Sequence, residues 1–324
     1  MDRIASFLVA CIALASFALA EPPKQADVQG LYEGASKDAR GDHKLEARVV
    51  AIDKGAYKVL IREPLPENKV AKTALAARPD GDIVRISGKS GDVEWAGAYA
   101  DGAFKGTCGA GGTFELKRIT RTPPTLGAQP PAGAIVLLDG KNFDEVVKKP
   151  LRDGTEQQWK LVDGGIEVPK GGMFSKRPIA GSFNLHVELK IPLMPAAVEQ
   201  GRGNSGVFMP NGQEIQVLDS FGMTTYTGGG CGGLYRYKDP DAFDEFALAS
   251  LPPQQWQTYD VEYRVEQKDG KPTGKPTLTV LHNGIKIHDN VTLKQDAKAG
   301  TFQFQDHGNP VEFRNIWMLP IDGK

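Results

Sequence analysis

Four things are scarce or missing in this chain. Strong helical periodicity is absent, which excludes helix bundles and alternating strand–helix folds. Cysteine is scarce: Cys11, Cys108 and Cys231 are the three among 324 residues, too few for a disulfide-built scaffold. Charge of one sign is not in excess, since 39 basic and 40 acidic residues give a formal net charge of −1. With no basic cluster carrying interleaved aromatics, a nucleic-acid partner is not expected. Long apolar runs are also missing. The longest lies within residues 1–20 and is too short for a comfortable membrane span, so no span is expected.

What is present is turn and strand. The 38 glycines and 22 prolines suit a β-rich fold with many reversals. Residues 1–20 read as a secretory signal: Arg3, an apolar core over Ile4–Ala18, then Ala18-Leu19-Ala20 as a cleavage site. The mature protein is therefore expected to be exported, periplasmic or secreted. It keeps Cys108 and Cys231, which could pair in an oxidising compartment.

Residues 21–119 hold short strand candidates separated by Gly/Asp turns, the pattern of a small antiparallel β domain. Leu45–Ile52, Tyr57–Arg62, Ile83–Gly88, Val93–Tyr99 and Thr113–Arg118 are the clearest. Glu67–Arg78 reads as a short helix or a loop. Gly109-Ala110-Gly111-Gly112 is no phosphate loop, because a strand rather than a helix N-terminus follows it. Tyr32, Tyr57, Trp95, Tyr99 and Phe104 read as core rather than a sugar platform. Residues 120–133, rich in proline, read as a semi-extended linker. Residues 134–324 carry longer alternating strands, among them Phe183–Ile191 and Thr258–Val265. These indicate an all-β fold, a two-sheet antiparallel jelly-roll sandwich. The long loop Thr224–Leu251, rich in glycine, tyrosine and acids, is expected to rim a site.

The second domain is organised around Gly203–Asp219. Two strand-like runs there are joined by Asn211-Gly212, a strong hairpin signal. Alternation puts Glu214 and Gln216 on one face and Ile215 and Val217 on the other. One bulged residue would bring Asp219 round to the Glu214 face. Asp306 and His307 follow the strand Thr301–Asp306, and Glu312 and Arg314 share a face of the last strand. His307 is a candidate proton-transfer group, since its free pKa lies near neutrality. Each of these residues also has a plainer reading as a turn, a solvated side chain or an ion pair.

Several motifs occur in one order: LLDGKNFDEV, the Trp159–Val168 hairpin, FNLHVELKI, NSGVF, EIQVLDS, LPPQQWQTYDVEY, HNGIKI and FQDHGNPVEFRNIW. Together they resemble the DUF1080 family, the 3-keto-disaccharide hydrolase domain, from about Gly133 to the C-terminus. The resemblance implies a concanavalin A-like, glucanase-type jelly roll acting on glycosides oxidised at C3. It departs from the simplest members at Gly228–Gly233 and at Asp269–Pro276. A 3-keto group acidifies the C2 proton, so a base can remove it and an acid can assist loss of the C1 substituent. Water addition would complete a net hydrolysis. Glu214, Asp219, Asp306 and His307 are the expected catalytic groups. Asn204, Gln216, Glu188, Glu312 and Arg314 are expected to bind the sugar, a 3-keto-glycoside or disaccharide. No metal or cofactor is expected. Two alternatives remain: a retaining glycosidase using Glu214-x-Gln216-x-x-Asp219, and a non-catalytic carbohydrate-binding module.

Overall fold

The structure, a computed structural model, describes residues 21–321 except 40, 142, 163, 242, 243, 247 and 248. The signal-like residues 1–20 lie outside the described residues. No described helix is long and apolar enough to cross a membrane.

Eight antiparallel strands close into a barrel: β1 (Gly30–Asp38), β2 (Gly41–Ala51), β3 (Tyr57–Pro64), β4 (Val70–Asp80), β5 (Ile83–Ser90), β6 (Val93–Ala100), β7 (Ala103–Cys108) and β8 (Gly112–Ile119), with β1 returning to pair β8. Alternation drives the closure. Every second residue, such as Leu45, Ala47 and Val49 of β2, turns inward to pack with Tyr32, Tyr57, Tyr99 and Phe104. Glu67–Arg78, expected as helix or loop, is mostly β4. Thr73, Leu75 and Ala77 supply its inward row opposite Ile61, Val59 and Tyr57 of β3. Alanine on both faces of this strand hid the alternation in the sequence.

The remaining strands are β9 (Ile135–Leu138), β10 (Val146–Val147), β11 (Lys160–Val162), β12 (Gly165–Glu167), β13 (Met173–Ser175), β14 (Ser182–Lys190), β15 (Asn204–Phe208), β16 (Glu214–Leu218), β17 (Trp256–Lys268), β18 (Lys271–His282), β19 (Ile285–Thr292), β20 (Gln303–Phe304) and β21 (Glu312–Ile321). They build the expected antiparallel sandwich. One sheet runs β10-β13-β20-β15-β16; the other runs β11-β12-β21-β14-β17-β18-β19, with β9 beside β21. Val207, Ile215, Val217 and Phe304 of the first sheet share one core with Leu185, Val187, Tyr259 and Phe313 of the second. Phe304 meets Phe313 edge-on with centroids 5.2 Å apart. Residues alternating with these necessarily face outward, on opposite sides of the molecule.

We propose that barrel and sandwich are the two domains, divided at residues 120–133. The two bodies touch. Leu31, Val50 and Leu60 of the barrel pack with Phe221, Phe246 and Leu251, and Lys58 and Lys72 pair with Glu245 and Asp244. Cys108 and Cys231 are both buried and unbridged.

The connecting stretch is docked on the outer face of the larger sheet. Thr125 Oγ1 donates to Asp260 at 2.6 Å, and the Gly127 amide donates to Glu188 Oε1 at 2.5 Å. The Ala128 carbonyl accepts from Asn315 and from the Trp317 indole. Beneath it Glu188 is fully buried. It receives Arg314 Nε at 2.7 Å and Asn315 Nδ2 at 2.9 Å, and His186 lies 3.5 Å away. Burial alone would raise the Glu188 pKa. Hydrogen bonds from His186, Asn315, Arg314 and Gly127 outweigh burial and hold it at about 2.

That value lies below the unfolded one, about 4.3. The cluster's stability is therefore present above pH 4.3 and lost as pH falls toward about 2. Glu188→Ala is expected to cost about 3–5 kcal/mol, because it strands buried partners, and to open residues 120–133 to limited proteolysis. Unchanged melting and protease resistance would show that the cluster does not hold the connection.

Candidate functional site

The outer face of the five-stranded sheet carries a row set by strand register. Phe174 of β13 pairs Gln303 of β20, Gln303 pairs Phe208 of β15, and Phe208 pairs Glu214 of β16. The next row holds Gly206 and Gln216, with the Gln305 amide donating to the Gly206 carbonyl. The Glu214 carboxyl lies back over Gly206. A Cβ on that glycine would meet Glu214 Oε1 at 2.0 Å, so only glycine leaves room for the acid.

Glu214 is 6% exposed, and no described residue donates a hydrogen bond or a positive charge to its carboxyl. Burial therefore acts unopposed and raises its pKa to about 7. A carboxyl poised there is half ionised at neutral pH and suits proton transfer.

Amides flank the acid. Gln216 Nε2 donates to Gln200 Oε1 at 3.0 Å, and Asn204 Nδ2 donates to the same oxygen at 3.1 Å. Gln200 Nε2 donates to the Gly229 carbonyl at 3.0 Å. This leaves Asn204 Oδ1 and Gln216 Oε1 buried without partners. Unpaired buried acceptors are costly.

The long loop expected to rim a site runs beside Glu214 and Gln216. Its backbone continues the sheet beyond edge strand β16. The Gln216 amide donates to the Gly233 carbonyl, the Gly232 amide to Gln216, and the Tyr235 amide to Glu214. Its glycines allow a tight return: a Cβ on Gly228 would lie 2.0 Å from the Leu234 carbonyl oxygen, and its φ is +71°. Tyr226 and Tyr235 pair hydroxyl to hydroxyl at 3.0 Å. The Tyr226 phenol is raised to about 12 by desolvation first, then by Tyr235, with Glu214 contributing and Arg236 opposing.

Asp306 and His307 follow β20 directly. Asp306 Oδ2 accepts from the Gly171 amide at 2.9 Å and Oδ1 from the Gly308 amide at 2.8 Å, so its carboxylate anchors two loops. It also lines a concavity of about 560 Å³ with Lys149, Arg152, Gln157 and Phe174. Phe174 ends the row that begins at Glu214. His307 is exposed on its loop and has no partner among the described residues.

Four expected residues do not join this surface. Asp219 stays off the Glu214 face, because the β15–β16 register runs without a bulge. Its carboxylate is taken by Arg202, with Nε at 2.9 Å and Nη2 at 2.5 Å. Glu188, Arg314 and Glu312 project from the other sheet, on the far side of the sandwich. There Glu188 binds Arg314, and Glu312 binds Lys190 at 2.7 Å. Alternation in β14 and β21 predicts that they point outward, but not from which sheet.

Sequence reasoning missed Gln200, Tyr226, Tyr235, Phe208, Gln303 and Gln305. The alternation of Phe302 and Phe304 with Gln303 and Gln305 was a usable signal for the last two. Nothing local marks Gln200, which reaches the floor from a short 3₁₀ turn, Glu199–Gly201.

Among solved structures, the chain is similar to a "putative glycosyl hydrolase" from Parabacteroides distasonis, with 31% identity over 59% of this chain and 85% of that one and a TM-score of 0.49. A "putative AttH" from Nitrosomonas europaea aligns at 9% identity over 91% of this chain and 99% of that one, with a TM-score of 0.15. Neither superposition is close enough to carry an argument. No curated protein matches the chain. The profile of the 3-keto-alpha-glucoside-1,2-lyase-like domain matches residues 133–319. That span covers the sandwich and more than half of the sequence, so the chain belongs to the family of 3-keto-alpha-glucoside-1,2-lyase-like domains.

Proposed function

We propose that the sandwich of this carbohydrate-active protein cleaves 3-keto-glycosides by elimination across C1 and C2, with Glu214 as the base. The observation that carries this reading is the Glu214 carboxyl, buried and unpaired on an outward polar face with its pKa near 7. Glu214 removes the C2 proton, and the electron pair left behind delocalises onto the C3 oxygen as an enolate. Tyr226 donates to Tyr235, which leaves the Tyr235 hydroxyl proton to meet that oxygen. The enolate then re-forms the ketone, the C1–O bond breaks, and its electron pair leaves with the departing oxygen. His307, on the loop beside Gln305, protonates that oxygen. Water adding to C1 of the resulting enone gives net hydrolysis. The unpaired oxygens of Asn204 and Gln216 accept the sugar hydroxyls. The concavity at Phe174 and Asp306 takes the second sugar. Export through residues 1–20 would set the reaction outside the cytoplasm.

The retaining glycosidase fares worse, because its second carboxylate, Asp219, is already bound to Arg202. A pure binding module gives no reason to bury an unpaired acid.

Three outcomes are expected. In heavy water, wild type should exchange the C2 hydrogen of a 3-keto-disaccharide and cleave it, while leaving the plain disaccharide intact. Glu214→Gln should lose both reactions, and His307→Ala should keep the exchange and lose most cleavage. Equal cleavage of the plain and oxidised sugars without exchange would overturn the elimination.

The base works ionised, so kcat/KM should rise with pH through about 7. Stability should move the other way. A carboxyl raised on folding stabilises below its unfolded pKa of about 4.3, and this is lost as pH rises through about 7. Glu214→Gln should therefore melt about 5 °C above wild type at pH 8 and level with it at pH 4.

Gly206→Ala should displace the carboxyl and reduce kcat at least tenfold in a folded protein. Unchanged kcat would mean that the seat over Gly206 is not the working position of Glu214.

A further inference from the structure

The barrel has an open mouth at the end where the hairpins β1–β2, β3–β4, β5–β6 and β7–β8 turn. A cavity of about 450 Å³ lies there, lined by Ser36, Glu63, Thr73, Ser90, Trp95 and Cys108 with Asp38 at the rim. Strand register explains the lining. Ser36 pairs His43, Ser90 pairs Val93, and Trp95 pairs Cys108. These residues continue the inward rows that deeper in the barrel are Leu45, Val59, Leu75 and Phe114. The inward rows therefore change from apolar to polar toward this mouth.

This mouth is chemically mixed. His43 sits between two acids, with Nε2 3.3 Å from Asp38 and Nδ1 2.9 Å from Glu63. Thr73 Oγ1 donates to Ser90 Oγ at 3.1 Å, which leaves the Ser90 proton to offer. Trp95 is 9% exposed and packs against Phe114 with centroids 5.1 Å apart. Its indole Nε1 is buried with no hydrogen-bond partner. An indole N–H is a donor only, and a buried one is normally satisfied. Its missing acceptor points to a ligand.

We infer that the barrel mouth is a second binding site, for a single neutral hexopyranose. The lining selects that chemistry. Carboxylates accept hydroxyl protons, the serine and threonine hydroxyls give and take, and the indole supplies a donor beside an aromatic wall. No lysine or arginine is among the described lining residues, which disfavours phosphorylated or acidic sugars. His43 contacts both acids, so neither carboxylate stands bare toward an organic cation. The volume lies in the lower part of the range for small-ligand sites, about 300–1,000 Å³. This site is independent of the Glu214 surface and does not rest on the elimination chemistry proposed there.

Calorimetric titration of the full chain tests it, using glucose, galactose and mannose as neutral probes and glucose 6-phosphate and choline as charged ones. At least one neutral hexose should bind. Trp95→Phe, which keeps the ring and removes the donor, should weaken that binding at least tenfold, and so should Glu63→Gln at the half-buried rim. Glu214→Gln should leave it unchanged. Melting curves identify any variant that fails to fold, and Glu63→Gln then decides alone. The inference is overturned if no neutral hexose binds, if choline or the phosphorylated sugar binds more tightly, or if only Glu214→Gln weakens binding.

Discussion

Each sheet of the sandwich has one face buried against the other, and the rest of the structure depends on that constraint. A strand has two faces, so once Ile215 and Val217 enter the core, Glu214 and Gln216 must leave it. The same rule sends Glu188 outward from β14 and Arg314 outward from β21. Acids thus emerge on both sides of the molecule by the same geometric necessity. What happens to each depends on what the chain then lays over it.

Glu188 and Glu214 make the contrast sharp. Both are buried carboxylates on outward faces. Glu188 is covered by residues 125–128 and accepts hydrogen bonds from the Gly127 amide, Arg314 and Asn315, with His186 3.5 Å away. Its pKa falls to about 2, so it is ionised near neutrality, and its charge is taken up in holding residues 125–128 to the sandwich. Glu214 is covered by a glycine-rich loop that offers its carboxyl nothing. Its charge is costly, its pKa climbs, and proton exchange near neutrality follows. Burial is common to both, so the partners decide which acid is structural and which is chemically available.

The fold was legible because alternation and Asn-Gly or Asp-Gly turns are local signals. The strand β4 was not, since alanine fills both of its faces. The barrel–sandwich contact was invisible for another reason. Leu31, Val50 and Leu60 lie on strands whose outward residues would ordinarily meet water, and Phe221 and Phe246 sit in a loop. The outward placement of Glu214, Gln216 and Asn204 could be read from parity. That Arg314 and Glu188 belong to the other side could not, because parity gives a face and long-range pairing gives the sheet. Residues 120–133 have the composition of a free linker, yet Thr125, Gly127 and Ala128 are held to groups more than sixty positions away.

The glycine-rich loop also answers a hazard of sheet edges. β16 ends the five-stranded sheet, and an uncovered edge strand invites pairing with another chain. Hydrogen bonds from the Gly232 and Tyr235 amides, and to the Gly233 carbonyl, occupy that edge. The cover cannot carry bulky side chains where it turns back on itself at Gly228. It is therefore thin, and its Tyr226 and Tyr235 hydroxyls pair with each other rather than with the Glu214 carboxyl. The device that protects the edge is thus the one that dehydrates the acid without neutralising it. Ordering of this loop and the proton affinity of Glu214 are in that sense one property, since any opening of the loop would rehydrate the carboxyl and lower its pKa.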